Sequence, residues 1–200
     1  MINSLDDLRA IYPEPKARAV KKQLAHLDPH CMKFISLSPF LVVASASGGG
    51  DLDASPRGGA PGFVKAPDPT TLLLPDGKGN NRLDTLTNII ATGRVGLLFL
   101  IPGVDETLRV NGDAQLRDES TLLEMFADLQ NPPKVVIRIK VREVYLHCAK
   151  AFMRSKLWSV ESQVERSVLP TLGKMICDQI GLLEPVETQE QMLARYRADL

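Results

Sequence analysis

DLDASPRGG (Asp51 to Gly59) and TLLLPDGKGNNRLDTLTNI (Thr71 to Ile89) are the two stretches on which the reading of this chain turns. Together they describe a short apolar strand, TLLLP, between two turns broken by Gly and Pro, with a helix after it. Leu83, Leu86, Ile89 and Ile90 share a face of that helix, and Gly93 suits its C-terminal cap. The turns carry Arg57, Lys78 and Arg82, while Asn80 and Asn81 stand where an N-cap belongs. An Arg fork matches two phosphate oxygens at once, and a Lys adds a point charge. Free N–H groups at a helix start favour an anion as well. The pattern predicts a phosphate site, and two or three cations match a monoester of about −1.5 to −2 charges. Residue types alone leave the alternative open that these are solvated loop cations. Neither GxxxxGK[ST] nor GxGxxG occurs, so P-loop and Rossmann binding are not indicated.

Outward from these stretches the chain reads as strands with helices at both ends. CMKFISLS (from Cys31) and FLVVASAS (from Phe40) read as consecutive strands broken at Ser38-Pro39, with a hairpin turn at Gly48–Gly50. GFVKA reads as a returning strand. RVGLLFLI is a continuous apolar run, expected to be buried on both faces. LRVNGDAQLRD follows the Pro102-Gly103 turn, and STLLEMFADL reads as a short helix. KVVIRIKVREVYLHCAK alternates Val136, Ile137, Ile139, Val141 and Val144 with Arg138, Lys140, Arg142 and Glu143, so one face is buried and one wet. At the start, Ser4 and Asp7 form a capping-box signature, and a second helix is expected from Lys16 to Leu27, stopped by Asp28-Pro29. At the end, TLGKMICDQIGL and a segment capped by Thr188 and Gln191 read as helices. The expectation is α+β: an antiparallel Greek-key barrel of split type, residues 31–150, with helices at 1–30 and a helical tail at 151–200, all in one domain.

The bulk properties exclude several classes. The chain has 200 residues, with 24 Lys plus Arg against 24 Asp plus Glu. That balance argues against generic nucleic-acid binding and against an anionic membrane partner. No run approaches the roughly 18 apolar residues of a membrane span. Three widely spaced cysteines, Cys31, Cys148 and Cys177, suit a reducing cytoplasm better than a disulfide framework. His26, His30 and Cys31 do not form a metal set, because Asp28-Pro29 separates the histidines and no further ligands complete it. His147 and Cys148 are adjacent on a strand and point to opposite faces, which excludes a nucleophilic dyad.

The ordered string SPRGG, GFV, LLLPDGKGNNRLDTLTNI, RVGLLFLIPG and LRVNGDA resembles the pyridoxamine 5′-phosphate oxidase-like family of FMN-binding split barrels. The resemblance covers roughly residues 31–160. Within it, the chain resembles a bacterial branch of FMN-dependent enzymes of unassigned substrate, whose tail motif is similar to HCAKAFMRSKLW (His147 to Trp158). It implies a homodimer with FMN in a groove between subunits. Arg57 and Arg82 would hold the FMN phosphate, with Lys78 and Asn81 beside them and Ser55 in the same turn as Arg57. Backbone of Leu74, Pro75 and Asp76 would line the flavin ring, and Arg109 would reach its polar edge. Ser155 and Trp158 would come from the second subunit. The implied role is an FMN-dependent oxidoreductase acting on a small molecule; the alternatives are a non-catalytic flavin-binding or redox-sensing protein and a deazaflavin-dependent reductase. A haem version would want an axial His, and none of the three His residues lies in the motif core. The resemblance does not extend to vitamin B6 chemistry. No His or Arg-rich signature follows Trp158, and extra Gly and Pro residues before Lys65 prevent its alignment with a substrate-binding Lys.

Overall fold

The computed structural model describes residues 1–183 and 186–197. Residues 198–200, which close the expected tail, lie outside the described residues. Seven strands form one antiparallel sheet: β1 (Phe40–Ala46), β2 (Leu52–Gly58), β3 (Lys65–Asp68), β4 (Thr71–Pro75), β5 (Arg94–Ile101), β6 (Val104–Arg117) and β7 (Val136–His147). Their order is β2-β1-β5-β6-β7-β4-β3. The fold is thus an α+β antiparallel sheet, as the alternation of apolar and charged residues predicts.

The sheet is strongly curled. Four strands separate β2 from β4, so in a flat sheet the two would lie roughly 24 Å apart at the usual spacing of about 4.8 Å. Yet Arg57 Nη2 on β2 lies 3.7 Å from Asp76 Oδ1, immediately beyond β4. The inner face of the curl is the core. Leu41, Val43, Leu97, Phe99, Leu108, Val110, Ile137 and Ile139 are almost completely buried there. Burial of each such side chain contributes about 1.5–3 kcal/mol. A satellite cluster of Leu73, Phe126 and Val136 covers the other face of β4.

β7 changes parity midway. Gly112 pairs with Val141 and Asn111 with Glu143, so Arg142 is an extra residue in a bulge. The bulge lets Ile139, Val141 and Val144 all face inward although their spacing is not uniformly even. Gly112 is required at this point: a Cβ there would stand 2.5 Å from Lys140 O.

The helices supply both agreements and corrections. α1 (Leu5–Ile11) has the Ser4–Asp7 capping box. α2 (Ala17–Lys21) is shorter than expected, because Leu24 leaves the helix to exchange backbone hydrogen bonds with Val144 on β7. CMKFISLS is not a strand: Pro29–Leu37 is a helix, α3, and the first strand begins at Phe40. Asp28 accepts a hydrogen bond from the Cys31 N–H and Pro29 occupies the first turn, so Asp28-Pro29 starts a helix rather than ending one. Cys31 and Ile35, one turn apart, are the buried side of α3. GFVKA contributes only Lys65 and Ala66 to β3; Phe63 and Val64 are buried in the preceding loop. RVGLLFLI has one buried face, not two, since Leu98 is exposed on the outer side. α4 (Asp84–Thr92) buries Leu86 and Ile89 and ends at Gly93 in the left-handed region, but leaves Leu83 and Ile90 exposed.

STLLEMFADL makes only α5 (Ser120–Leu123) and a turn of tighter helix to Phe126. The tail contains α6 (Lys150–Ser155), α7 (Leu172–Ile180), with Thr171 as N-cap, and α8 (Gln189–Arg197). The Thr188–Gln191 capping box is formed. Among the described residues no helix is long and apolar enough to cross a membrane, and no group of His, Cys, Asp or Glu could hold a metal.

Candidate functional site

DLDASPR is a strand, not a turn, and this decides where its polar side chains go. Residues two apart share a face, so Asp53, Ser55 and Arg57 all project beside Ser45, Val43 and Leu41 of β1, their direct partners. Leu41 and Val43 are fully buried, which puts this polar row on the inner face, at the end that α4 covers.

Asp53 is the centre of the row. Its carboxylate accepts hydrogen bonds from Thr85 Oγ1 at 2.6 Å, Ser55 Oγ at 3.0 Å and Ser45 Oγ at 3.2 Å. Asn88 Nδ2 donates to Ser45 Oγ at 3.0 Å, so two residues of α4 are tied to the β1–β2 hairpin. Burial pushes the Asp53 carboxyl up. The hydroxyls of Thr85, Ser55 and Ser45 and the charge of Arg57 push it down further, and it sits below the ordinary range.

Arg57 lies between two carboxylates. It feels the charge of Asp53, and its Nη2 faces Asp76 at 3.7 Å, too far for a hydrogen bond. Nη1 donates to Pro56 O at 3.1 Å. Nε is buried with no acceptor among the described residues, which is costly for a charged donor. Burial raises the Asp76 carboxyl above its ordinary value, against the pull of Arg57. The site therefore contains an under-bonded guanidinium that an anion would satisfy.

The loop from Asp76 to α4 brings the other cations. Asn80 does not cap the helix; its Oδ1 accepts from the Arg82 N–H at 3.0 Å, an Asx turn. The residue at the N-cap is Leu83, and Asn81 and Leu83 both have left-handed backbone, at φ 61° and 59°. Such a conformation is costly for leucine and is characteristic of binding loops. With no side chain capping it, the first turn of α4 keeps its N–H groups available. Arg82 is largely exposed, donates to Asp84 Oδ2 at 2.7 Å, and feels Asp53 across the gap. Ser47, Asp51, Asp53, Arg82, Asp84 and Asn88 line a cleft of about 350 Å³ here. A larger cleft of about 530 Å³, beside Ile89, Gly93, Arg94 and Asp113, holds none of the candidate cofactor-binding residues.

Ser55, Arg57 and Arg82 are thus gathered around Asp53, with Asp76 facing Arg57, Leu74 and Pro75 buried at the end of β4, and Lys78 and Asn81 exposed in the connecting loop. Arg109 is not in this group. It pairs with Leu98 and Tyr145 on the outer face, with its guanidinium carbon 5.8 Å from the Tyr145 ring centre. The alternation that buries Leu108 and Val110 turns Arg109 outward. Trp158 packs on the β5–β6 hairpin of its own chain, and Ser155 is exposed at the end of α6. Trp158 Nε1 donates to Val104 O at 3.0 Å and the indole stacks on Phe152 at 5.5 Å, while Ser155 Oγ donates to Phe152 O. The residues that sequence reasoning missed are Asp53 and its partners Thr85, Ser45 and Asn88. The signal that could have found them is the spacing Asp53, Ser55, Arg57, which is one face of a strand.

A curled antiparallel sheet thus carries at its inner end a guanidinium under-supplied with acceptors, beside a loop with further cations. The family model described as pyridoxamine 5′-phosphate oxidase matches residues 27–148, and this chain belongs to that family. Solved structures share its fold. HupZ of Group A Streptococcus is 17% identical, with a TM-score of 0.51, and the match covers 60% of this chain and 93% of that one. A Lactobacillus delbrueckii protein, provisionally assigned as a pyridoxamine 5′-phosphate oxidase, is 19% identical with a TM-score of 0.50, covering 62% and 98%. No curated protein sequence matches.

Proposed function

We propose that this protein binds FMN and serves as an FMN-dependent oxidoreductase for a small molecule, as a cytoplasmic homodimer with the flavin between subunits. The observation that carries the reading is the buried Nε of Arg57, a charged donor without an acceptor on the inner face of a family fold. Arg57 and Arg82 would hold the phosphate, Lys78 and Asn81 would flank it, and Ser55 would keep Asp53 in place. Backbone at Leu74, Pro75 and Asp76 would border the ring. FMN, when bound, supplies the hydride- or electron-transfer chemistry, and the protein supplies anchoring, ring electronics and a shaped pocket. Arg109 faces outward in its own chain, so in a dimer it is available to the ring's polar edge from the other side. Ser155 and Trp158 would be contributed by the second subunit of the single-domain homodimer, Trp158 offering a ring face because its N–H is already used.

The visible spectrum of the purified protein tests this. A flavin spectrum, with FMN released on denaturation, is the expected result. Colourless protein that also fails to take up added FMN sinks the reading.

A further inference from the structure

Arg57 has two carboxylate neighbours, and they are held very differently. Asp53 receives three hydroxyl hydrogen bonds and is fastened to α4. Asp76 stands 3.7 Å from Arg57, too far for a hydrogen bond to it, on the first residue of a Gly-rich loop. Both partners keep about a quarter of their side-chain surface exposed, so a solute can reach the gap between them.

We propose that Asp76 is an exchangeable counter-ion: it stands where the ligand's anionic group goes, and loading of Arg57 replaces this carboxylate with phosphate. The inference rests on the proposed FMN reading and assigns a specificity-determining role to a side chain for which only backbone contact was expected. A structural ion pair would place its charges closer and use the guanidinium fully, whereas here Nε is left over. A phosphate brings enough oxygens to occupy Nε and Nη2 together.

When the phosphate arrives, the Asp76 carboxylate would face a second anion. Two like charges in one site raise the affinity of one of them for a proton. At a pH between the free and the loaded values of the Asp76 carboxyl, the balanced step is uptake of one proton from solvent, giving the neutral acid, with no covalent bond made to the ligand; above both values the carboxylate stays ionised and repels the phosphate. The burial that already raises the Asp76 carboxyl favours the same outcome. Arg57 is the charge that acts on Asp76; Asp53 acts on Arg57 from β2, and Arg82, paired with Asp84 at the start of α4, feels Asp53 in turn. Asp53 stays ionised through the range, since its carboxyl lies below the ordinary value.

The test is FMN affinity of the intact protein between pH 5 and 8, for wild type and Asp76→Asn, with riboflavin as the phosphate-free probe. At pH 8 Asp76→Asn is expected to bind FMN about tenfold more tightly than wild type, a pKa coupling of about one unit. The ratio should shrink toward one at pH 5, and riboflavin affinity should differ little between the two proteins at any pH. FMN titrates too, but equally for both proteins, so the ratio isolates Asp76. Equal or weaker FMN binding by Asp76→Asn at pH 8 overturns the proposal and makes the pair structural. Asp76→Ser, read in the same way, replaces Asp76→Asn if the latter does not fold. The parent reading fails separately, if Arg57→Ala with Arg82→Ala leaves FMN affinity unchanged.

Discussion

Arg57 on β2 and Asp76, the residue after β4, lie 3.7 Å apart although four strands separate β2 from β4. This contact marks the place where the sheet curls back on itself. It also makes the phosphate-site candidate a property of the curled sheet as a whole: neither β2 nor β4 alone assembles it.

Replacing both Arg57 and Arg82 with alanine is expected to weaken FMN binding, with the half-enclosed Arg57 alone contributing about 1.5–3 kcal/mol as a charged hydrogen-bonding group. Fluorescence titration of FMN quenching measures it. Riboflavin binding should fall far less, since it lacks the phosphate.

Asp53→Asn should destabilise the fold by about 1–2 kcal/mol at neutral pH, since a charged acceptor for three hydroxyls becomes a neutral one. The pH dependence has a definite sign. The folded-state carboxyl lies below the ordinary value of 3.8, so its stabilisation is fully present above that value. It is lost as pH falls through the lower, folded-state value. Urea melts of the two proteins should therefore differ at pH 7 and converge in strong acid; a gap that widens on acidification contradicts the assignment.

Gly112→Ala should cost about 1–3 kcal/mol, the usual range for overpacking, because its Cβ would meet Lys140 O at 2.5 Å and Ile139 Cγ2 at 2.7 Å. Gly103→Ala, in an open hairpin turn at φ 84°, has nothing within 4 Å and is affected by backbone strain alone. Chemical denaturation should rank the first as the more damaging.

Leu83→Asn should raise stability by about 0.5–1 kcal/mol. A left-handed leucine costs roughly 1–2 kcal/mol, asparagine tolerates the conformation, and the leucine side chain is half exposed. Thermal melting checks it. A loss of FMN affinity alongside the gain would show that the strained turn serves the ligand.

Local patterns were legible where one physical rule dominated. The β1–β2 hairpin follows from FLVVASAS and three glycines, the Ser4 and Thr188 capping boxes from spacing, and β4 with α4 from apolar period and Gly93. α3 was not legible from its period, because an apolar run as short as CMKFISLS suits a strand or a helix; the Asp28-Pro29 pair at its start was the deciding signal. For the site, Arg57, Arg82 and the LLLPD strand could be read from sequence. The partners of Arg57 could not, since Asp76 reaches it only through the curl, and Thr85 and Asn88 reach Asp53 only through helix packing. Arg109 could be placed on a strand but not on a face without knowing the register.

Trp158 is the chain's single tryptophan, and its indole is fixed by Val104 and Phe152 at the β5–β6 hairpin. The protein's ultraviolet emission is therefore a one-point optical readout of the tail's seat on the hairpin. A flavin arriving nearby would dim that emission, and a tail lifting off would shift it to the red, so one native chromophore distinguishes loading from undocking without a label.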